Sequence, residues 1–199
     1  MIAVAIMAGA LLAASAACAD PTATSTSTSI DTSGNGSQGI LGLNQDAGDS
    51  NNQGNLTSIA ATGGDNTAAL ASVIASSLQQ GNAAPTSQQV ETNTINNSFN
   101  NTSGIAQVNQ VAGVGNVQLN VIAIAFAAGA TFSPALTDVE LKEVSSPGTP
   151  GAPSSIAPGS DNSMNGSFNN FTGIAQVQQV VGDNNVVTNV VAVAVGAGG

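Results

Sequence analysis

The stretch GIAQVNQVAGVGNVQLNVIAIA runs from Gly104 to Ala125, and GIAQVQQVVGDNNVVTNVVAVA runs from Gly173 to Ala194. They align without a gap at an offset of 69, and matching Ser98–Ala130 to Ser167–Gly199 gives 20 identities in 33 positions. A more diverged copy, GILGLNQDAGDSNNQGNLTSIA, covers Gly39–Ala60 at an offset of 65 from the second. All three obey G-I-x-x-[LV]-[NQ]-Q-x-x-G-x-x-N-x-x-x-N-x-x-x-[IV]-A. Glycines and amides recur while the apolar residues drift. Self-similarity at a fixed period is the mark of stacked architectures.

Each copy has two β-compatible runs around a Gly/Asn/Asp cluster: AGDSN (Ala47–Asn51), AGVGN (Ala112–Asn116) and VGDNN (Val181–Asn185). Gly and Asn tolerate positive φ, so the chain is expected to reverse at Gly48, Gly113 and Gly182. The unit then reads strand, arc, strand. On a strand, alternate residues share a face. In the second run this places Asn51 with Asn55, Asn116 with Asn120, and Asn185 with Asn189. Gln45, Gln110 and Gln179 recur in the first run. A folded core would hold its apolar positions and let surface amides vary. In-register stacking does the reverse, because each amide sits about 4.8 Å from its counterpart and bonds along the column. Neither face of the first run is cleanly apolar, since IAQVNQV mixes Gln with Val on both. Such a strand is completed by further copies above and below rather than by a self-contained core. VIAIAF (Val121–Phe126) and VVAVAV (Val190–Val195) are uncharged, free of Pro and strongly β-prone, the signature of zipper strands, with Val121, Ile122, Ile124, Val191 and Val193 as their β-branched members.

Composition narrows the function. Of 199 residues only 6% are charged and 3% aromatic, while Asn and Gln together number 35. The formal charge is −10, with Lys142 the only cation. That excludes nucleic acid as a partner, because phosphate binding needs Lys and Arg. His is absent, and the one Cys is Cys18. Most nucleophile–base pairs and transition-metal sites are thereby removed, so no enzyme activity, metal or cofactor is expected. Asp46, Asp49 and Asn51 offer oxygens at the first turn, but Val114 and Gly115 stand in the second copy. A repeated calcium site is therefore not expected.

Residues 1–19 are apolar and end in Ala17-Cys18-Ala19, which fits a signal peptide cleaved before Asp20, although no positive n-region precedes it. Residues 20–38 form a Ser/Thr-rich tract expected to be disordered. The repeats are placed at 39–60, 104–125 and 173–199, with linkers at 61–103 and 126–172. The second linker contains SSPGTPGAPSSIAPGSDN and reads as flexible. Ser133–Val144 within it fits a short capped helix or a strand.

Three short repeats behind a leader, separated by two long linkers, resemble the Fap family of secreted bacterial functional amyloids. The likeness rests on Val108–Ala125, Val177–Ala194 and LNQDAGDSNNQGN (Leu43–Asn55). It implies extracellular fibrils that strengthen biofilm matrix, a β-arch or solenoid-like protomer, a related minor or major subunit, and an outer-membrane exporter. Curli subunits are a second resemblance, but their repeats are contiguous and shorter. The family's major subunit usually ends in Cys-x-x-Cys, whereas this chain ends GAGG after its third repeat. The expected fold is all-β: strand–arc–strand units stacking as a β-solenoid or cross-β fibril with long flexible linkers. The expected function is a secreted, self-assembling structural subunit whose partner is itself. A monomeric β-solenoid or β-sandwich adhesin binding a surface or glycan is the alternative.

Overall fold

The computed structural model describes residues 10–13, 25–48, 50–63, 69–80, 90–128, 135–144 and 160–197. These residues contain twelve strands and no helix. In chain order they are β1 (Ala10–Ala13), β2 (Ser25–Asp31), β3 (Gln38–Ala47), β4 (Asn52–Gly63), β5 (Ala71–Gln80), β6 (Val90–Asn96), β7 (Ser103–Ala112), β8 (Val117–Ala128), β9 (Ala135–Val144), β10 (Asp161–Asn165), β11 (Thr172–Val181) and β12 (Val186–Ala197).

Every pairing is parallel, and each joins stretches far apart in the chain. One sheet runs β2-β6-β10, a second β1-β3-β7-β11, a third β4-β8-β12, and a fourth β5-β9. β2–β5 therefore form one level, β6–β9 a second and β10–β12 a third. Between levels the register is the sequence offset itself. Gln45 pairs with Gln110 and Gln110 with Gln179, while Asn55 pairs with Asn120 and Asn120 with Asn189. Among the described residues no strand closes the sheets: β1 pairs with part of the outer edge of β3, and the other outermost strands have no further strand partner.

The β2-β6-β10 sheet packs on the β3-β7-β11 sheet through Leu43, Ile95, Phe99 and Val108, flanked by Ile30, Leu41, Met164 and Phe168. On the far side, Leu119, Val121, Ala123, Ala125 and Ala127 of β8 pack against Ala69, Ala71 and Val73, with Leu56 and Ala60 of β4 adjoining. Between these apolar layers, the β3-β7-β11 and β4-β8-β12 sheets face each other largely through amides. β7 is buried from Ile105 onward, as expected of a parallel strand covered on both faces. The matching β11 is buried only at alternate positions because nothing lies beyond it in the stack.

Strands also run through stretches expected to be disordered or flexible. β2 lies in the Ser/Thr tract, β5 and β6 in the first connector, and β9 and β10 in the second. β2, β6 and β10 have little apolar alternation and are held by in-register neighbours and amide bonds instead. Ser133–Val144 takes the strand alternative, from Ala135 onward. β1, inside the expected leader, pairs with Leu41–Asn44 of β3. The turn residue Asp49 lies outside the described residues, as do 14–24 and 145–159.

Candidate self-assembly surface

The nine amides singled out in the sequence fall into three columns. In the first, Gln110 Nε2 donates to Gln45 Oε1 at 2.8 Å, and Gln179 Nε2 donates to Gln110 Oε1 at 2.7 Å. In the second, Asn116 Nδ2 donates to Asn51 Oδ1, and Asn185 Nδ2 to Asn116 Oδ1, both at 3.0 Å. In the third, Asn120 Nδ2 donates to Asn55 Oδ1, and Asn189 Nδ2 to Asn120 Oδ1, both at 3.1 Å. All three columns share one polarity: the third level donates to the second and the second to the first.

The amides also fasten the arches. Asn55, Asn120 and Asn189 donate to the carbonyls of Leu43, Val108 and Val177, each twelve residues back on the facing strand. Asn51 Oδ1 and Asn116 Oδ1 accept the backbone N–H of the next level's Asn116 and Asn185 at 2.8 Å. Gln45, Gln110, Asn116 and Asn120 are buried, so each amide left unpaired would cost about 1–3 kcal/mol.

Gly48, Gly113 and Gly182 sit at φ of 135°, 149° and 131°, where side chains are strained. They also sit directly over one another. A Cβ on Gly48 would lie 1.9 Å from the Gly113 carbonyl oxygen, and one on Gly113 would lie 1.8 Å from that of Gly182. Gly39, Gly104 and Gly173 form a second such column, in which a Cβ on Gly104 would meet the Gly39 oxygen at 2.0 Å. At the two ends the contacts stop: Gly39 meets nothing within 4 Å, and Gly182 only the Asn185 amide nitrogen.

The zipper-strand residues divide between two faces. Val121 packs in the apolar layer under Ala71 and Val73, while Ile122, Ile124, Val191 and Val193 belong to the amide-bearing face. In the second level Val121 and Ile122 are buried; in the third, Val191 and Val193 are half-exposed.

Further columns were not singled out in the sequence. Asn109 Nδ2 donates to Asn44 Oδ1 at 3.0 Å and to Asn55 Oδ1 at 3.1 Å. Gln107 Nε2 donates to Gln176 Oε1 at 2.9 Å, and Gln53 Nε2 to Gln118 Oε1 at 3.0 Å. Upstream, Asn93 Nδ2 reaches Asn162 Oδ1 at 2.8 Å, Asn35 Oδ1 accepts the Asn100 N–H, and Asn100 Oδ1 accepts the Asn169 N–H. Phe99 stacks on Phe168 with centroids 4.9 Å apart. The same offsets of 65 and 69, carried upstream to TNTINNSFNN (Thr92–Asn101) and DNSMNGSFNN (Asp161–Asn170), mark these columns.

The open ends carry the same residues as the interior. At the third level, Gln178 Oε1 is buried and has no hydrogen-bond partner. One level down, the matching Asn109 lies within an amide network. Parallel strands in register, amide columns along the stack and strand edges left unpaired at both ends, apart from the part of β3 that β1 covers, define a protein of the amyloid-like structural class. The chain matches the functional amyloid protein FapB/FapC family over residues 9–196 and belongs to it. It is a functional amyloid subunit from a family of structural proteins, and the resemblance first carried by Val108–Ala125 is borne out. Comparison with curated proteins and with solved structures returned no match.

Proposed function

We propose that the chain is a secreted fibre subunit supporting biofilm matrix, built as a three-level β-solenoid whose copies stack head to tail. The third level of one copy receives the first level of the next, so Gln179, Asn185 and Asn189 meet Gln45, Asn51 and Asn55. The single observation that carries this reading is the polarity shared by the three columns of Gln45, Asn51 and Asn55. The third-level oxygens stand where each lower level accepts an amide proton, and the first level presents the matching amides. Asn44 of the incoming copy then donates to the buried Gln178 oxygen. The stacking units are the three strand–arc–strand segments with their upstream strands, flanked on the first two levels by β5 and β9. The family takes in two proteins, FapB and FapC, which supports co-assembly with a related subunit; export through an outer-membrane protein goes with the same reading.

The test is incubation of the chain from Asp20 to Gly199 at micromolar concentration. The fibre subunit gains thioflavin fluorescence and a fibre reflection at about 4.7–4.8 Å. A chain that stays soluble and melts cooperatively is the adhesin instead.

A further inference from the structure

The apolar layer outside the β4-β8-β12 sheet is incomplete. The sheet has three strands, but among the described residues only β5 and β9 cover it. Residues in one register column show the result. Val117 is 2% and Val121 0% exposed, whereas their partners on β12, Val186 and Val190, are 37% and 46% exposed. Ala123 and Ala125 are buried, while Ala192 and Ala194 are exposed. β9 packs against both β8 and β12, and among the described residues its only strand partner is β5. Its free edge therefore borders the uncovered face of β12.

Stacking turns this groove into a slot. In the fibre proposed above, β5 of the next copy stands beyond β9, leaving room for one strand between two unpaired edges about 10 Å apart. By its sequence the connector that follows β9 is a poor occupant, because SSPGTPGAPSSIAPG (145–159) contains four prolines, which cannot donate to a ladder. A second β9 in register is disfavoured by local charge, since it would set Asp138, Glu140 and Glu143 against their own counterparts with only Lys142 to offset them.

We propose that this slot, formed by the uncovered face of β12 and the free edge of β9, receives an extended, net-basic strand of a different polypeptide on the flank of the fibre. The inference rests on the head-to-tail reading. The slot continues the column that β5 begins two levels down, where Ala71 and Val73 fill the apolar layer. The incoming strand therefore carries small or β-branched residues at every second position. Backbone pairing supplies affinity, and the side-chain alternation supplies selectivity.

The test uses fibres of the Asp20–Gly199 chain, first verified by their reflection. The probe is a fluorescent decapeptide with the β5 sequence ASVIASSLQQ in which Ile74 and Ser76, register partners of Asp138 and Glu140, are replaced by lysine. We expect saturable binding at one peptide per subunit in co-sedimentation. Binding weakens about tenfold on Val190→Lys fibres and for a peptide that also carries Val73→Asp. Verified fibres that bind no peptide, bind it equally after Val190→Lys, or take up many peptides per subunit overturn the slot. Chains that yield no fibre overturn the fibre reading, and the slot with it.

Discussion

At the residue scale, the amide is the side chain that stacking selects. It carries a donor and an acceptor, so a column of identical amides satisfies itself, and each member still has a proton for the facing backbone. Asn120 does both, toward Asn55 and toward the Val108 carbonyl. Asn120→Asp removes the donor and leaves a charge in a buried site, so the fold loses about 3 kcal/mol or more, measurable by denaturant unfolding. Asn189→Asp, at the half-exposed end, costs the isolated chain far less yet suppresses thioflavin-detected fibrillation as strongly, because stacking buries it equally. The glycines separate in the same way. Gly104→Ala drives a Cβ into the Gly39 carbonyl and destabilises the chain by about 3 kcal/mol or more. Gly182→Ala meets no backbone within one chain, so the fold tolerates it better, while elongation stops against the incoming Gly48. These columns were legible because Gln45, Asn51, Asn55 and their counterparts repeat at fixed spacing. Asn44 and Asn109 were harder to see, since their third-level partner is Gln178.

At the scale of the element, each parallel strand spends half its backbone on the level below and half on the level above. Val117 N–H donates to the Asn185 carbonyl at 2.8 Å, and Asn52 N–H to the Asn116 carbonyl. By the same rule Val186 N–H points away from the second level, and in the proposed fibre it would meet the Asn51 carbonyl of the following copy. Val186→Pro therefore leaves the intramolecular ladder intact and blocks elongation, whereas Val117→Pro breaks a bond within the chain and lowers its own stability. Circular dichroism melts and seeded growth rates distinguish the two outcomes. Strand–arc–strand pairs such as β7–β8 were readable from period-two spacing and the glycine cluster. β2, β6 and β10 were not, because a strand such as Ser25–Asp31 has only Ile30 as a large apolar residue. What holds it is its partner: Ser25–Asp31 lies in register with Val90–Asn96, and Thr28 Oγ1 donates to Asn93 Oδ1. Propensity does not reveal a strand stabilised that way, although repetition upstream of Ser98 does.

At the scale of the whole molecule, a charge of −10 and open edges oppose each other. On the proposed stacking, copies repel at long range and bind at contact, so salt that shortens the Debye length to about 8 Å near physiological strength is expected to speed assembly. The lag time of fibrillation should fall steadily as sodium chloride is raised from low to physiological concentration, and a lag that lengthens contradicts this. The central claim is that the third level of one copy takes the place of a missing level beneath the next. Identical residues in successive copies then stand three levels apart, about 14 Å along the fibre, rather than about 4.8 Å as in a flat in-register stack of whole chains. The most direct measurement is the electron paramagnetic resonance spectrum of fibres carrying one spin label at Ser27→Cys, an exposed position on β2, in the chain from Asp20 to Gly199, which has no other cysteine. The account predicts a dipolar-broadened spectrum from labels about 14 Å apart. A single exchange-narrowed line, from labels in contact along the fibre, would contradict it.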